Sequence, residues 1–473
     1  MRSDGTGSGS ASREVLGRGS IYTLASAAPM LAGVLLLPIT TRVLSQSSYG
    51  TVAVCLVLIQ FGGIFAGSGM AIAITRHAIL EESGVSGARG LVVASTGIAS
   101  TVCILALATG RWWGPVALNQ DWAIWFQVAT VAAAASAIVA NVQALLRAEG
   151  KAWKFVALAS GGSLFGPLLG VALILGVTRT PTAYVSGLAS AYVLAAAVGV
   201  VLVGRSGDVS ISWREVTDAL RVGMPTIPHQ LALSISTGAL VLIAAHRFGV
   251  EASARLQVAL FIGVVPVVIT SAVNNAWAPL VMRSPESERG RAINTSARDI
   301  GWIAASGSTV IAALSPWILQ VVVPASYDRD SLIPVVASAS VVAVLSVAYL
   351  GSSHLVFVSG HTTGLALWTP ISVACGVGSA IFLVEPFGLV GAGFGFVITY
   401  AVLALTVGLL ARRVASTRWS PSVLLFPALF AVGGSIAGGL LAVGGPGGLG
   451  RVALGLCAAA VGLVRLSRAL QRR

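Results

Sequence analysis

The sequence predicts an all-α membrane protein with about fourteen transmembrane helices. Its mean hydropathy is +0.90, and 56% of its 473 residues are hydrophobic while only 10% are charged. Soluble proteins carry about 25% charged residues, so much of this chain must lie in lipid. Apolar runs such as 91–107 and 332–349, with their flanks, reach the length of about 20 residues that crosses a bilayer as a helix. A membrane barrel would instead need segments of about 10 residues with alternating polarity.

Each predicted span is an apolar run between two polar breaks, and the linkers are too short to hold a folded domain outside the membrane. The Gly/Ser-rich N-terminus is predicted to be a disordered cytoplasmic tail. The predicted spans are 20–39, 50–74, 90–109, 122–146, 155–176, 182–204, 222–245, 256–281, 301–323, 332–357, 363–384, 387–410, 422–443 and 449–464.

The positive charges predict the orientation of the spans. With the N-terminus in the cytoplasm, 22 of the 29 Lys and Arg residues fall in cytoplasmic segments. Short cytoplasmic loops carry an excess of basic residues, so this alternation supports the span count and predicts that both termini are cytoplasmic. In a soluble protein the net charge of +13 would suggest nucleic-acid binding. Here the basic residues set topology, and no nucleic acid is expected.

The four cysteines predict neither a disulfide nor a metal site. Cys55, Cys103, Cys375 and Cys457 lie far apart inside apolar runs. No pair has the spacing of zinc ligands, and buried cysteines behave as small hydrophobic residues. We expect no metal and no cofactor.

A weak internal repeat indicates two parallel bundles of six spans. Spans one and seven begin about 200 residues apart and each contain two prolines. Spans two and eight both end in an arginine, Arg76 and Arg283. Transporters often consist of such paired bundles with the substrate bound between them. The predicted domains are the tail 1–18, an N-terminal six-helix bundle 19–219, a C-terminal six-helix bundle 220–411, and two additional helices with a basic cytoplasmic tail 412–473.

Several stretches carry a resemblance to a known family. They are Gly-Ser-Ile-Tyr-Thr-Leu at 19–24, Leu-Leu-Leu-Pro-Ile-Thr-Thr-Arg-Val-Leu-Ser at 35–45, Tyr-Gly at 49–50, Leu-Leu-Arg-Ala-Glu-Gly at 145–150, Gly-Met-Pro-Thr-Ile-Pro-His-Gln at 223–230 and Asn-Asn-Ala-Trp-Ala-Pro at 274–279. The sequence from about 19 to 411 resembles the polysaccharide-repeat (O-antigen type) flippases of the multidrug/oligosaccharidyl-lipid/polysaccharide exporter superfamily.

The resemblance implies a flippase rather than an enzyme. Such proteins move a polyprenyl-diphosphate-linked oligosaccharide from the cytoplasmic to the outer leaflet of the bacterial cytoplasmic membrane for surface polysaccharide synthesis. Two bundles would enclose a central cavity, and a monomer would suffice. The expected partners are the lipid bilayer and the lipid-linked oligosaccharide, with a polysaccharide polymerase and glycosyltransferases as further candidates. Where many members carry an Asp-Arg pair, this chain has Leu240 and Val241.

Four arginines at span ends are candidate ligands of the diphosphate. Arg42 follows span one, and Arg76, Arg147 and Arg283 close spans two, four and eight. The planar guanidinium fork suits phosphate because it makes paired charge-assisted hydrogen bonds. The alternative is that these arginines are topology anchors whose head groups reach the membrane surface.

Polar residues within spans are candidate ligands of the head group. His229 lies about two turns inside span seven beside Gln230, and an ionisable residue at that depth is a functional candidate. Asn274, Asn275 and Trp277 offer amides and a stacking surface for sugar. The alternative for all five is interhelical hydrogen bonding, with an interfacial tryptophan.

Two other functions stay open at this point. A drug or metabolite exporter of the same superfamily usually needs a buried carboxylate for ion coupling. Here Asp121, Asp299 and Glu385 lie only at span boundaries. A polysaccharide polymerase or sugar transferase usually presents a large outer loop or an acidic motif, whereas Asp328 and Asp330 are predicted to form a solvated turn.

Overall fold

The computed structural model describes residues 35–224, 227–359 and 363–471. Within these ranges it describes the backbone alone at 80, 229, 230, 233–235, 272, 275, 276, 279, 283 and 469–471. The described chain is helical throughout and contains no strand in these ranges. The predicted all-α fold class is therefore confirmed.

Within the described ranges, nineteen helices follow one another, joined by short turns. Two of the joining segments, Ala325–Tyr327 and Pro421–Leu424, are 3₁₀ turns. The helices are α1 (35–43), α2 (Gln46–Gly67), α3 (Met70–Leu80), α4 (Gly84–Leu118), α5 (Ile124–Ala148), α6 (Ala152–Ser163), α7 (Phe165–Gly176), α8 (Pro181–Arg205), α9 (Trp213–Gly223), α10 (Ile227–Phe248), α11 (Val250–Gly263), α12 (Val265–Arg283), α13 (Glu286–Val322), α14 (Arg329–Ser340), α15 (Val342–Ser359), α16 (Thr363–Phe387), α17 (Leu389–Val414), α18 (Leu425–Leu440) and α19 (Gly445–Gln471).

The membrane spans agree with the prediction wherever the structure describes them. Among the described residues, 11 helices are long and apolar enough to cross a membrane, or 12 if the pair bent by 45° at Val264 forms one span. Each coincides with one predicted span. The predicted spans 20–39 and 222–245 include residues outside the described ranges, so the count of fourteen stays a prediction.

Local sequence explains where helices begin and how closely they pack. At the start of α8, the Thr180 hydroxyl accepts the backbone N–H of Ala183 at 3.3 Å, and Pro181 occupies the first helical turn. Close packing depends on small residues. A Cβ on Gly187 would lie 2.3 Å from the backbone nitrogen of Gly170, so α7 and α8 touch through their backbones.

The contacts divide the chain into two compact units. Unit 1 contains Leu58–Ile227, and unit 2 contains Leu37–Val57 and Pro228–Arg473. The core of unit 1 packs α3, α4, α5, α6, α8 and α9 around Leu91 and Leu145. The core of unit 2 packs α12, α13, α15, α17 and α18 around Trp277 and Trp419. The predicted domain limits at 219/220 and 411/412 stay predictions.

The structure adds detail to two segments that were predicted as connections between spans. The predicted linker between spans six and seven contains α9, which buries Val216 and Ala219 against unit 1 while Trp213 is exposed. Asp328, predicted in a solvated turn, has a left-handed backbone with φ of 51° and pairs with Arg255 at 2.7 Å.

Candidate functional site

Two of the four predicted phosphate ligands lie at helix ends of unit 1 and already contact other side chains. Arg76, in the last turns of α3, pairs with Glu81 at 3.2 Å, and both side chains are about half exposed. The Arg147 guanidinium lies 5.6 Å from the centre of the Phe155 ring, a cation–π contact at the end of α5. Both arginines are exposed, so their guanidiniums remain accessible to an anion.

A buried carboxylate joins three helices at these same ends. The Arg89 guanidinium of α4 donates to Glu149 Oε1 at 2.7 Å, and Lys151 Nζ lies 2.7 Å from Glu149 Oε2. The Glu149 side chain is only 6% exposed. Burial opposes its ionisation, but hydrogen bonds from Lys151 and Arg89 and their positive charges prevail, so the pKa of Glu149 is lowered. Glu149 is therefore an anion that holds α4, α5 and α6 together.

A histidine, a serine and a glutamate form a second polar cluster in unit 1. His77 Nε2 lies 2.8 Å from Ser83 Oγ, and Ser83 donates its hydroxyl to Glu215 Oε1 at 2.7 Å. A serine hydroxyl has one proton. Because Glu215 receives it, His77 acts as donor to Ser83 and not as its base. The cluster thus attaches the α3–α4 turn to α9 and lacks the proton relay of a serine hydrolase.

The third predicted phosphate ligand, Arg42, lies at the end of α1 in unit 2. Its guanidinium donates to the backbone carbonyls of Pro38 at 2.8 Å and Gln320 at 3.3 Å. The neighbouring Thr41 hydroxyl donates to the Val322 carbonyl at 2.6 Å. Arg42 is exposed and lies where the ends of α1 and α13 meet.

One of the predicted sugar ligands, Trp277 of α12, packs against His354 of α15. The rings of Trp277 and His354 meet edge to face with centroids 4.9 Å apart. Trp277 Nε1, His354 Nε2 and Asn274 Oδ1 are buried without a hydrogen-bond partner among the described residues. Buried polar atoms are normally paired, so these three atoms are unusual. Trp277 is 4% exposed, and its ring contacts protein rather than solvent.

For the other four predicted ligands, the structure describes only the backbone. The backbones of His229 and Gln230 are in the first turns of α10, and those of Asn275 and Arg283 are in α12. The side chains of these four lie outside the described residues. Their predicted roles are not tested.

Three polar residues that were not predicted as site residues have well-defined surroundings. Glu149 and His354 are described above. Arg451 of α19 is 1% exposed, and its Nε donates to the carbonyl of Leu441 at 2.9 Å. A sequence signal existed for Glu149, because it stands between Arg147 and Lys151 in the family-like stretch 145–150. Arg451 lies within the predicted span 449–464, and no local signal indicated which groups would compensate its buried charge.

Two groups of solved structures have a fold similar to that of this chain. Among solved structures, lipid II flippase MurJ in an inward closed conformation has a TM-score of 0.71 at 12% identity, covering 95% of this chain and 99% of that one. An inward-facing multidrug resistance MATE family transporter of the MOP superfamily has a TM-score of 0.63 at 19% identity, covering 83% of this chain and 94% of that one. The fold is therefore shared with these membrane proteins.

Sequence comparison gives the family. No functionally curated protein matches the chain. The family described as polysaccharide biosynthesis protein matches residues 16–284, which is more than half of the sequence. This agrees with the resemblance seen in the motifs. The chain belongs to the polysaccharide biosynthesis protein family.

Proposed function

We propose that this protein is a flippase that moves a polyprenyl-diphosphate-linked oligosaccharide from the cytoplasmic to the outer leaflet for surface polysaccharide synthesis. The family match over residues 16–284 carries the proposal. Support comes from the fold shared with lipid II flippase MurJ, which extends over 95% of this chain.

The transport task explains which residues we assign to the substrate. A charged head group must cross about 30 Å of hydrocarbon, while the polyprenyl tail can remain in lipid. Arg42, Arg76 and Arg147 are exposed cations at helix ends, where they are accessible to a diphosphate. We assign phosphate binding to these three and to Arg283. We assign the sugar to His229, Gln230, Asn274, Asn275 and Trp277.

The direction of transport depends on the orientation in the membrane, and we propose that both termini are cytoplasmic. The excess of basic residues in alternate loops supports this orientation. A reporter fused after Arg473 should be active only in the cytoplasm. An external reporter would overturn the cytoplasmic placement of the C-terminus.

Deleting the gene tests the function directly. Polyprenyl-diphosphate-linked sugars are then quantified in each leaflet. We expect completed repeat units to accumulate on the cytoplasmic side and surface polysaccharide to be lost. Completed units that reach the outer leaflet but stay unpolymerised would identify a polymerase instead.

A drug or metabolite exporter is the second candidate, because MATE transporters share the fold. Ion-coupled exporters usually contain a buried carboxylate, and Asp299 of α13 is 9% exposed. Unchanged lipid-linked sugars after gene deletion, together with drug sensitivity, would favour the exporter. Replacing Asp299 with Asn would then abolish efflux.

A further inference from the structure

A cleft in unit 2 opens where α17 ends and α18 begins. It is a shallow cleft at the protein surface, lined by Leu355 of α15, Arg412 of α17, and Thr417, Arg418 and Trp419 of the connecting segment. No Asp or Glu is among its lining residues. The cleft is therefore positive, with an aromatic side chain in its wall.

Both arginines of the cleft are available to a ligand. Neither the Arg412 nor the Arg418 guanidinium makes a hydrogen bond, an ion pair or a ring contact with the described residues. Other arginines of unit 2 do have partners: Arg247 pairs with Glu385, and Arg255 pairs with Asp328. Two exposed guanidiniums without an intramolecular partner match the oxygens of a phosphate group.

The segment that carries Arg418 is fixed in place before any ligand binds. The Thr417 hydroxyl donates to the Glu286 carbonyl at 3.3 Å, and the backbone N–H of Ser420 donates to Asn294 Oδ1 at 2.8 Å. Trp419 is buried and donates its indole N–H to Ser352 Oγ at 3.2 Å. Because the segment is already ordered, binding would cost little conformational entropy.

The surroundings of the cleft favour a lipid over a free anion. Leu409 of α17 precedes Arg412 by three residues, and Leu425 and Phe426 begin α18 shortly after Pro421 of the cleft. All three are large apolar residues with exposed side chains. Both helices are candidate membrane spans. A ligand with a phosphate and acyl chains would contact the arginines and these apolar residues together. We propose that this cleft binds the phosphate of an anionic phospholipid.

Titration of the full-length protein in detergent tests the proposal. Binding of phosphatidylglycerol is measured by native mass spectrometry, with phosphatidylcholine as the neutral reference lipid. We expect the double variant R412A/R418A to bind phosphatidylglycerol about thirtyfold more weakly, because each of the two basic residues near an anionic surface is worth about 1 kcal/mol. The matched control is R413A, which removes the neighbouring exposed arginine that does not line the cleft.

Each outcome decides the proposal. A loss of about thirtyfold in R412A/R418A with no more than about a twofold loss in R413A supports a specific site. A loss in R412A/R418A no larger than the square of the fold-loss in R413A would show general surface charge and overturn it. Competition by millimolar inorganic phosphate, with no effect of L425S/F426S, would show a free-anion site and overturn the lipid. Thermal unfolding of each variant in the same detergent establishes that it is folded.

Discussion

Arg89 of unit 1 and Arg451 of unit 2 are both largely buried, but different groups compensate their charges. The Arg89 side chain, 13% exposed, pairs with the carboxylate of Glu149 at 2.7 Å. Arg451, 1% exposed, donates to the backbone carbonyls of Leu441 and Ala313 and has no carboxylate partner among the described residues. The first arrangement depends on an ionised side chain, whereas the second depends on peptide groups that do not titrate.

The contacts of Arg89 and Arg451 should therefore respond differently to acid. The carbonyls at the end of α18 lack helical partners and carry a partial negative charge, so they suit a cation. Arg451 thereby attaches α19 to the end of α18 and to α13 through contacts that acid does not titrate. The contact of Arg89 with Glu149 weakens once the carboxylate is protonated. We therefore expect acid to loosen the helix ends of unit 1 and to leave the attachment of α19 unchanged.

The largest expected effect is that of Arg451→Met. The change leaves buried carbonyls without their donor, at a cost of about 3 kcal/mol in the free energy of unfolding. Thermal unfolding in detergent measures it. Arg468→Met is the matched control, because Arg468 is an exposed residue of the same helix. Equal unfolding temperatures for the two variants would refute a structural role for Arg451.

Glu149→Gln should cost somewhat less, about 2 kcal/mol, because Arg89 and Lys151 lose their shared anion in a partly solvated site. The folded-state pKa of Glu149 lies below the ordinary value of 4.5. Its contribution is therefore complete above the ordinary value and is lost as the pH falls through the lowered pKa. The difference in unfolding temperature between wild type and E149Q should accordingly shrink in acid.

A control variant tests whether burial of the ion pair explains the destabilisation by Glu149→Gln. Glu81→Gln removes the partner of Arg76 in an exposed pair and should change the unfolding temperature little at any pH. A pH-independent difference between E149Q and wild type would mean that Glu149 acts by packing and not by charge.

Helices could be predicted from the sequence because apolar runs are local. Twelve predicted spans coincide with helices, counting the bent pair as one. Side-chain partners could not be predicted in this way. Arg89 and Glu149 are 60 residues apart, and Arg451 and Ala313 are 138 residues apart. Only the packing of helices brings such pairs together.

For the candidate site, the sequence indicated polar residues within spans but not which side chains surround them. Asn274 and Trp277 are polar residues of α12, but the sequence did not indicate that the Trp277 ring packs against buried His354. A buried ring nitrogen without a partner cannot be read from a sequence, because it depends on which side chains surround it. The span predicted from 449 includes Arg451, and α19 begins slightly earlier, at Gly445. The carbonyls that Arg451 contacts belong to Leu441 and Ala313 in other parts of the chain, so they had no local signal.

Arg42→Ala tests the phosphate assignment in unit 2. Loss of one guanidinium–phosphate contact should slow transport of lipid-linked oligosaccharide about tenfold, equivalent to about 1.4 kcal/mol. Arg42→Lys, which keeps the charge but not the fork, should fall in between. Transport is followed by the appearance of repeat units in the outer leaflet. A wild-type rate for R42A would leave Arg42 only its contacts with the Pro38 and Gln320 carbonyls.

The smallest effect on stability is expected for Arg76→Ala in unit 1, because an exposed ion pair contributes about 0–1 kcal/mol. Its transport effect separates the two roles of this arginine. If Arg76 binds phosphate, R76A should slow transport, and E81A should maintain or raise it because the guanidinium loses its competitor at 3.2 Å. If Arg76 serves only to pair with Glu81, the two variants should behave alike. The pair of variants thus decides the role of Arg76 without relying on a change in stability.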